Sequence, residues 1–273
     1  ELRGKVLGEI PSTAEKPPFV PRIELDRVGH VSTLILRPRD FDPARTYPVI
    51  VSVYGGPHAR MVSAAPYDYL LQQWIADHGF VVVAVDGRGT PGRGRAFERA
   101  IRGSFVDVPL ADQVAGLEGL CERHPELDRT RVGIYGWSFG GYLSAMAVLL
   151  RPDVFHAGVA GAPVTEWLDY DTHYTERYLG LPWEVPQAYV QSSCLTYVER
   201  LERPLLLVHG TGDDNVYLSH AMKLSDALFR AGKRHDFLPL ANFTHMVPDP
   251  LVTRRLYSLI VDHFVRALGS SVA

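Results

Sequence analysis

The sequence has little cysteine, no long hydrophobic run and no large excess of charge of either sign. Its 273 residues include only Cys121 and Cys194, too few for a disulfide framework and without the spacing of metal ligands. No apolar segment reaches the roughly 20 residues that a membrane-spanning helix needs. The formal net charge is −3 at pH 7. These absences predict that neither nucleic acid nor a membrane is among its partners.

The bulk composition is that of a globular chain. Hydrophobic residues make up 46% and charged residues 22% of it, and the length suffices for one large α/β domain. The first five residues lack the layout of a signal peptide, and the compartment is left open. Cys121 falls on the apolar stripe of a predicted helix, which favours a buried structural thiol.

Short apolar segments alternate with helical patterns along most of the chain. The predicted strands are β-branched or continuously apolar, as expected for strands covered on both faces: Val49–Tyr54, Val81–Asp86, Val132–Tyr135, Ala157–Ala160, Leu205–His209 and His235–Leu240. Apolar stripes at helical spacing run from Leu110 to Cys121, from Ala221 to Ala231 and from Leu256 to Ala267. This alternation predicts an α/β fold with a mostly parallel central sheet and helices on both faces.

The first part of the chain does not follow this alternation. Residues 1–25 contain Pro11, Pro17, Pro18 and Pro21, which predict an irregular course. We therefore expect residues 1–35 to be a linker or the tail of an upstream domain, and residues 36–273 to form the α/β domain. Ligands of open α/β sheets bind beyond the carboxyl ends of the strands, so candidate site residues are sought there.

The most informative motif is Gly136-Trp137-Ser138-Phe139-Gly140, which has the form G-x-S-x-G. A short apolar strand precedes it, and a helical segment from Gly141 to Leu150 follows it. A serine on such a strand-to-helix turn is lifted out at the carboxyl end of the sheet. The pattern also occurs by chance in glycine-rich turns. Its setting here favours Ser138 as a nucleophile for acyl transfer.

A nucleophilic serine needs a base, and the base needs an acid that orients it. In α/β-hydrolases the acid and then the histidine follow the serine, on loops after later strands. The strand that ends at His209 runs into a glycine-rich turn with Asp213 and Asp214, and either can supply the acid. His245 follows the next strand in a late loop, as the base should. Aspartates in glycine-rich turns and histidines in loops are also common without a catalytic role. The interpretation therefore depends on the position of these residues after the expected strands.

Acyl transfer also needs two donors for the developing oxyanion. The backbone N–H of Phe139, directly after the candidate nucleophile, is the first. The second should come from the loop after an early strand, which reads Val53-Tyr54-Gly55-Gly56-Pro57. The Tyr54 hydroxyl is the obvious candidate. A tyrosine packed at the end of a strand explains the residues equally well.

Together these motifs resemble the catalytic domain of the prolyl oligopeptidase family of serine peptidases, within it the dipeptidyl peptidase IV branch, including dipeptidyl peptidase 8/9-like enzymes. The resemblance runs from about Tyr47 to the end of the chain. The blocks that carry it are Val53–Pro57, Asp86–Gly89, Gly136–Tyr142, Ala162–Val164, Tyr174–Tyr178 and His209–Val216. It implies an α/β-hydrolase fold and chemistry that needs no metal and no cofactor.

The resemblance also assigns catalytic roles that the residue patterns leave open. It implies Ser138 as nucleophile, His245 as base and Asp213, in preference to Asp214, as the acid. It makes Tyr54 an oxyanion donor beside the Phe139 amide. Phe139 stands where a tyrosine is common in this branch, which leaves its backbone amide unaffected.

The pocket for the residue before the scissile bond also follows from the resemblance. Its implied lining, here called the specificity pocket, consists of Phe139, Val164, Trp167, Tyr170, Tyr174 and Val216. Asn215 would hold the carbonyl of the preceding residue. Aromatic walls around a small apolar slot suit a proline ring and would accept alanine less well. Without the family, the Trp and Tyr side chains would be interpreted as core or helix-face residues.

The implied function is a serine peptidase that cleaves after proline or alanine in peptides and releases N-terminal dipeptides. Enzymes of this branch usually carry an N-terminal β-propeller, whose paired glutamates grip the free amine of the substrate. The segment before Tyr47 is too short for a propeller, so we expect a missing domain; a homodimer is also possible in this family. The alternatives are a related oligopeptidase, a tripeptidyl or acylaminoacyl peptidase, an esterase, or a non-catalytic binding module.

Overall fold

A computed structural model describes residues 4, 7, 8, 11 and 13–270 of the chain. The other positions, some of them in the expected N-terminal linker, lie outside the described residues. Eight strands form one sheet in the order β1-β2-β4-β3-β5-β6-β7-β8. The strands are β1 (Ile23–Val28), β2 (Val31–Leu36), β3 (Tyr47–Val53), β4 (Val81–Asp86), β5 (Leu127–Trp137), β6 (Ala157–Gly161), β7 (Leu205–Gly210) and β8 (Asp236–Leu240).

Helices connect the strands and cover both faces of the sheet. The α-helices of the described part are α1 (Leu70–Ala76), α2 (Arg95–Glu98), α3 (Asp107–Arg123), α4 (Phe139–Leu150), α5 (Thr172–Leu179), α6 (Pro186–Ser192), α7 (Ser219–Arg230) and α8 (Pro250–Leu268). Short 3-10 helices span Pro66–Tyr69, Arg99–Ile101, Trp167–Asp169 and Cys194–Arg200. Within the described ranges, no helix combines the length and the hydrophobicity that crossing a bilayer would require.

The direction of the strands places their carboxyl ends along one edge. Strands β3 to β8 are all parallel to one another, whereas β1 and β2 form a hairpin that joins β4 in antiparallel fashion. This is the mostly parallel α/β sheet that the alternation of strands and helices predicts. The loops after β3, β5, β6, β7 and β8 therefore meet at one end of the molecule, where ligands of such sheets bind.

The core lies in two layers, one on each face of the sheet. Helices α3, α4 and α7 pack on one face through side chains such as Leu117, Met146 and Leu224. Helices α1 and α8 pack on the other face, where Ile75 and Phe264 are fully buried. Strands β3 and β4 are buried along their whole length, which explains why they are continuously apolar in sequence.

The N-terminal part of the sheet differs from the sequence-based expectation. Strands β1 and β2 belong to the sheet, so it begins at Ile23, ahead of the boundary expected at residue 36. The irregular course expected for residues 1–25 is wrong at Ile23–Leu25, which pair with β2. Strand β1 lies at the edge of the sheet, and none of its six residues is buried. It therefore lacks the apolar pattern that marks the inner strands.

Candidate active site

Every candidate catalytic residue lies just beyond the carboxyl end of a parallel strand. The order along this edge is Tyr54 after β3, Ser138 after β5, Val164 after β6, Asp213 after β7 and His245 after β8. These positions are distant in sequence, and the parallel sheet alone brings them to one end of the molecule.

Ser138 occupies the sharp turn between β5 and α4. Its backbone has φ 59° and ψ −121°, a conformation that residues other than glycine rarely adopt. The turn is held from both sides, because the Ser138 N–H donates to the Gly161 carbonyl at 2.8 Å and the Ser138 carbonyl accepts from Tyr142 N–H at 2.9 Å. The half-buried serine is thereby presented at the end of the sheet, as in a nucleophile elbow.

Asp213 and His245 form a hydrogen-bonded pair. His245 Nδ1 lies 2.8 Å from Asp213 Oδ2, and the carboxylate is fully buried while the imidazole is 17% exposed. The other carboxylate oxygen accepts the backbone N–H groups of Asn215 at 3.0 Å and Val216 at 2.9 Å. Asp214, the second candidate for the acid, is exposed. A carboxylate with this set of donors can fix the tautomer and orientation of the histidine.

A second histidine supports the loop that carries Asp213. His209, at the end of β7, is fully buried, and its Nε2 lies 2.7 Å from the Val216 carbonyl and 3.4 Å from Asp213 Oδ2. Burial lowers the pKa of His209, against the opposing effects of the Val216 hydrogen bond and the Asp213 charge, so the ring is neutral near pH 7. The Nε2–H of His209 can then donate to the Val216 carbonyl. This bond closes the loop between β7 and α7 that carries Asp213, here called the acid loop.

The loop that carries His245 is tied to the other two catalytic loops. Trp137, adjacent to Ser138, donates its indole N–H to the His245 carbonyl at 2.7 Å. Gly212, adjacent to Asp213, donates its N–H to the Phe243 carbonyl at 2.9 Å. The positions of Ser138, Asp213 and His245 are therefore coupled through hydrogen bonds made by the residues next to Ser138 and Asp213.

Two groups near Ser138 have the chemistry of oxyanion donors. The Phe139 N–H belongs to the first turn of α4, where amide groups have no acceptor within the helix. The Tyr54 ring lies 5.9 Å from the Phe139 ring, measured between centroids. Burial, together with the neighbouring Tyr170 and Tyr178, raises the pKa of Tyr54 to about 12. The Tyr54 hydroxyl consequently keeps its proton at neutral pH and is available to donate it.

Four of the six residues expected to line the specificity pocket form an aromatic cluster next to the Ser138 turn. Trp167 is buried and stacks parallel to Tyr174, with centroids 6.2 Å apart and an interplanar angle of 9°. Its ring also lies 5.8 Å from Phe139 and, edge to face, 5.8 Å from Tyr170. The Tyr170 hydroxyl donates to Asn215 Oδ1 at 3.3 Å, which joins the cluster to the acid loop.

The other two members of the specificity pocket are small and apolar. Val164 follows β6, and Val216 closes the acid loop. Both are buried, at 2% and 0% exposure. Tyr170 and Tyr174 remain half-buried, so the aromatic cluster is open towards the solvent on their side.

The sequence did not point to Phe105 as part of this cluster. Phe105 is fully buried, and its ring lies 4.2 Å from Trp167, 5.6 Å from Phe139 and 6.0 Å from Tyr174. It precedes α3 and is remote in sequence from these three rings. A single phenylalanine before an apolar helix gives no signal that separates a pocket residue from the core.

The mostly parallel sheet with helices on both faces is the fold of an α/β-hydrolase. Residues 67–271 match the prolyl oligopeptidase family, and the chain belongs to that family. It is 39% identical to human dipeptidyl peptidase 8 and 38% identical to the mouse protein, each over 246 residues and 88% of the chain.

Solved structures show the same likeness. The chain superimposes on the crystal structure of Porphyromonas gingivalis dipeptidyl peptidase 4 with a TM-score of 0.85, at 32% identity and over 92% of its residues. The match covers 36% of that chain, and 27% and 28% of the human and mouse proteins. This chain therefore spans between a quarter and two fifths of the length of these relatives.

Proposed function

We propose that the chain is the catalytic part of a serine peptidase that cleaves peptides after proline or alanine and releases N-terminal dipeptides. The observation that carries the proposal is the buried Asp213–His245 pair at 2.8 Å, at the same edge of the sheet as the strained Ser138 turn. The names of the relatives, which are dipeptidyl peptidases, support the same class of reaction.

In the proposed mechanism, His245 takes the proton of Ser138 as the hydroxyl oxygen attacks the carbonyl carbon after proline. Asp213 accepts the Nδ1–H of His245 and stabilises the imidazolium that forms. His245 then protonates the leaving amine as the carbon–nitrogen bond breaks, which leaves an acyl-enzyme on Ser138. Water, activated by the same histidine, hydrolyses the ester and regenerates the serine.

The oxyanion of each tetrahedral intermediate would be held by the Tyr54 hydroxyl and the Phe139 N–H. Two donors aimed at the developing charge supply much of the rate enhancement in acyl transfer. A tyrosine hydroxyl is protonated at neutral pH and can donate to an oxyanion, and the burial of Tyr54 raises its pKa further. The aromatic cluster around Trp167 would accept the flat proline ring. Asn215, held by Tyr170, would bind the carbonyl of the residue before the proline.

Two partners belong to the proposal beyond the peptide substrate. Recognition of the free amine would be supplied by a β-propeller domain, in keeping with the greater length of the relatives. A homodimer would cover the apolar side chains that α7 and α8 expose, among them Phe229 at 79%, Leu251 at 63% and Val265 at 37%. The bond-breaking steps described above use residues of this chain alone.

The test compares hydrolysis of Gly-Pro-aminocoumarin with that of its N-blocked form by this chain and by Ser138→Ala. We expect turnover by the wild type and none by the variant, since alanine removes the nucleophile. Fluorophosphonate labelling should likewise depend on Ser138.

The substrate pair separates the proposal from its alternatives. Cleavage of the free-amine substrate alone would support dipeptide release by this chain itself. Equal cleavage of both forms would mean a post-proline hydrolase whose recognition of the free amine lies in another domain. Turnover of short esters without peptide turnover would identify an esterase. Near-wild-type activity of Ser138→Ala would overturn the assigned nucleophile.

A further inference from the structure

A basic cavity of about 600 Å³ lies next to the specificity pocket. Its lining is rich in arginine and includes a single carboxylate. The lining residues are Pro57, His58, Gly89, Pro91, Arg95, Glu98, Arg99, Arg102, Arg177 and Tyr178. We call it the arginine cavity. Four guanidinium groups against one carboxylate give it a formal charge of +3, although the whole chain carries −3.

The four arginines keep their charge available. Within the described part of the chain, none of them forms an ion pair with a carboxylate, whereas Arg37 and Arg88 elsewhere are both paired. Glu98 instead accepts the backbone N–H of Gly92 at 3.0 Å. All four arginine side chains are exposed, so they are free to meet an anion that enters from solution.

One layer of aromatic rings separates the arginine cavity from the specificity pocket. His58 Nε2 lies 2.8 Å from the Tyr178 hydroxyl, and the His58 ring lies 5.5 Å from Tyr174, which belongs to the pocket. His58 has φ 78°, a left-handed conformation that costs free energy in a residue other than glycine. It follows Tyr54 by four positions, so the same loop serves the oxyanion candidate and the wall of the cavity.

We propose that the arginine cavity binds a carboxylate of the peptide substrate, an Asp or Glu side chain near the residue that enters the specificity pocket. This inference rests on the proposed peptidase function. An extended peptide advances about 3.3 Å per residue, so a side chain within one to three residues of the proline can span one aromatic layer. Guanidinium groups bind carboxylates through paired N–H donors, which makes a cluster of arginines selective for acidic side chains over neutral amides.

The test uses two series of peptides, each with Glu, Gln or Lys at one position. One series is X-Pro-aminocoumarin, and the other is a quenched Gly-Pro-X peptide, so that the two sides of the scissile bond are probed separately. In one of the two series we expect kcat/KM to be about tenfold higher for Glu than for Gln at low salt, with Lys lowest, as two or three exposed ion pairs would give. Higher salt should reduce this preference.

The variant Arg95→Gln/Arg99→Gln should lower the Glu-over-Gln ratio to about twofold or less and leave kcat/KM for the Gln peptide unchanged, because only the ion pairs are removed. The control Arg230→Gln/Arg234→Gln changes the net charge equally at exposed positions on α7 and before β8, and should keep the full preference. Equal rates for Glu and Gln in both series would overturn the proposal. So would a preference that survives in Arg95→Gln/Arg99→Gln.

A complete lack of peptide turnover would count against the proposed function, and a binding measurement then tests the cavity separately. The probe is a fluorescein-labelled Ala-Glu-Glu-Ala peptide, with Ala-Gln-Gln-Ala as its neutral counterpart, titrated at low salt. We expect tighter binding of the Glu peptide by about fivefold or more, lost in Arg95→Gln/Arg99→Gln. Equal affinities of the two peptides for the wild type would overturn the inference whatever the activity.

Discussion

At the scale of single residues, removal of the Tyr54 hydroxyl tests whether Tyr54 is a catalytic group or a tyrosine packed at a strand end. Tyr54→Phe keeps the ring against Phe139 and removes only the donor. We expect kcat to fall about ten- to a thousandfold, since the loss of one oxyanion donor costs up to about a thousandfold. KM for Gly-Pro-aminocoumarin should change much less, because the donor acts mainly on the transition state.

The control for this measurement is Tyr67→Phe, which removes a hydroxyl from a tyrosine that is 53% exposed and belongs to neither the candidate catalytic residues nor the specificity pocket. It should leave kcat and KM unchanged. Wild-type kcat in Tyr54→Phe, with normal unfolding behaviour, would return Tyr54 to a packing role and leave the Phe139 amide without a partner donor.

The adjacent Asp213 and Asp214 provide a matched pair of variants for the acid. Asp213→Asn should lower kcat by about a thousand- to ten-thousandfold, because an amide at this position favours the wrong tautomer of His245. Asp214→Asn should leave kcat within about twofold of the wild type, since Asp214 is exposed. Steady-state kinetics at one pH decide this, and a large effect of Asp214→Asn with a small effect of Asp213→Asn would exchange the two assignments.

The candidate site residues could be proposed from the sequence where a motif fixes them. Ser138 stands in a motif with a mechanical meaning, and the chain order then directs attention to Asp213 and His245. Phe105 and His58 could not be found in this way, because each touches the site through packing across distant segments. Such contacts leave no local pattern in a single sequence.

At the scale of elements, helix α4 approaches strand β3 so closely that the contact is made by backbone atoms. A Cβ on Gly140 would lie 2.1 Å from the Val53 carbonyl oxygen and 3.1 Å from Tyr54 Cα. Backbone cannot swing aside as a side chain can, so Gly140→Ala must shift the helix or the strand end. We expect a loss of about 1–3 kcal/mol in the free energy of unfolding, as in other overpacked cores.

The same substitution should reduce kcat, because Gly140 lies between the Ser138 turn and Tyr54. Urea unfolding and steady-state kinetics measured on one preparation test both effects. Gly8→Ala is the control, since a Cβ there meets nothing within 4 Å. Unchanged stability and activity in Gly140→Ala would show that the helix can move away from β3 at little cost.

The elements were predictable to different degrees, for physical reasons. The inner strands β3, β4 and β7 are buried on both faces, and their continuous apolar runs allowed their positions to be predicted within a few residues. Strand β1 lies at the edge of the sheet and has no buried residue. Its charged residues resemble those of a loop, so it was expected to be part of a linker.

At the scale of the whole molecule, the stability of the fold should depend on pH, because the fold buries histidines as well as carboxylates. His209, His220 and His263 are each at most 3% exposed. Burial lowers the pKa of all three, and that of His220 to about 4. In the unfolded chain their pKa returns to about 6.5, so the unfolded state binds more protons as the pH falls.

We therefore expect these histidines to contribute to the free energy of unfolding fully above about pH 6.5. Their contribution is lost as the pH falls towards 4, and that of His220 alone is about 1–3 kcal/mol. Urea unfolding across this range measures it. His220→Asn is the informative variant. His220 Nδ1 accepts the Thr165 N–H at 3.2 Å, and an asparagine oxygen can still accept it. The asparagine has no group that titrates in this range. It should flatten the slope of unfolding free energy against pH, while His173→Asn, at an exposed position, should keep it. A slope unchanged in His220→Asn would mean that the acid sensitivity comes from other groups.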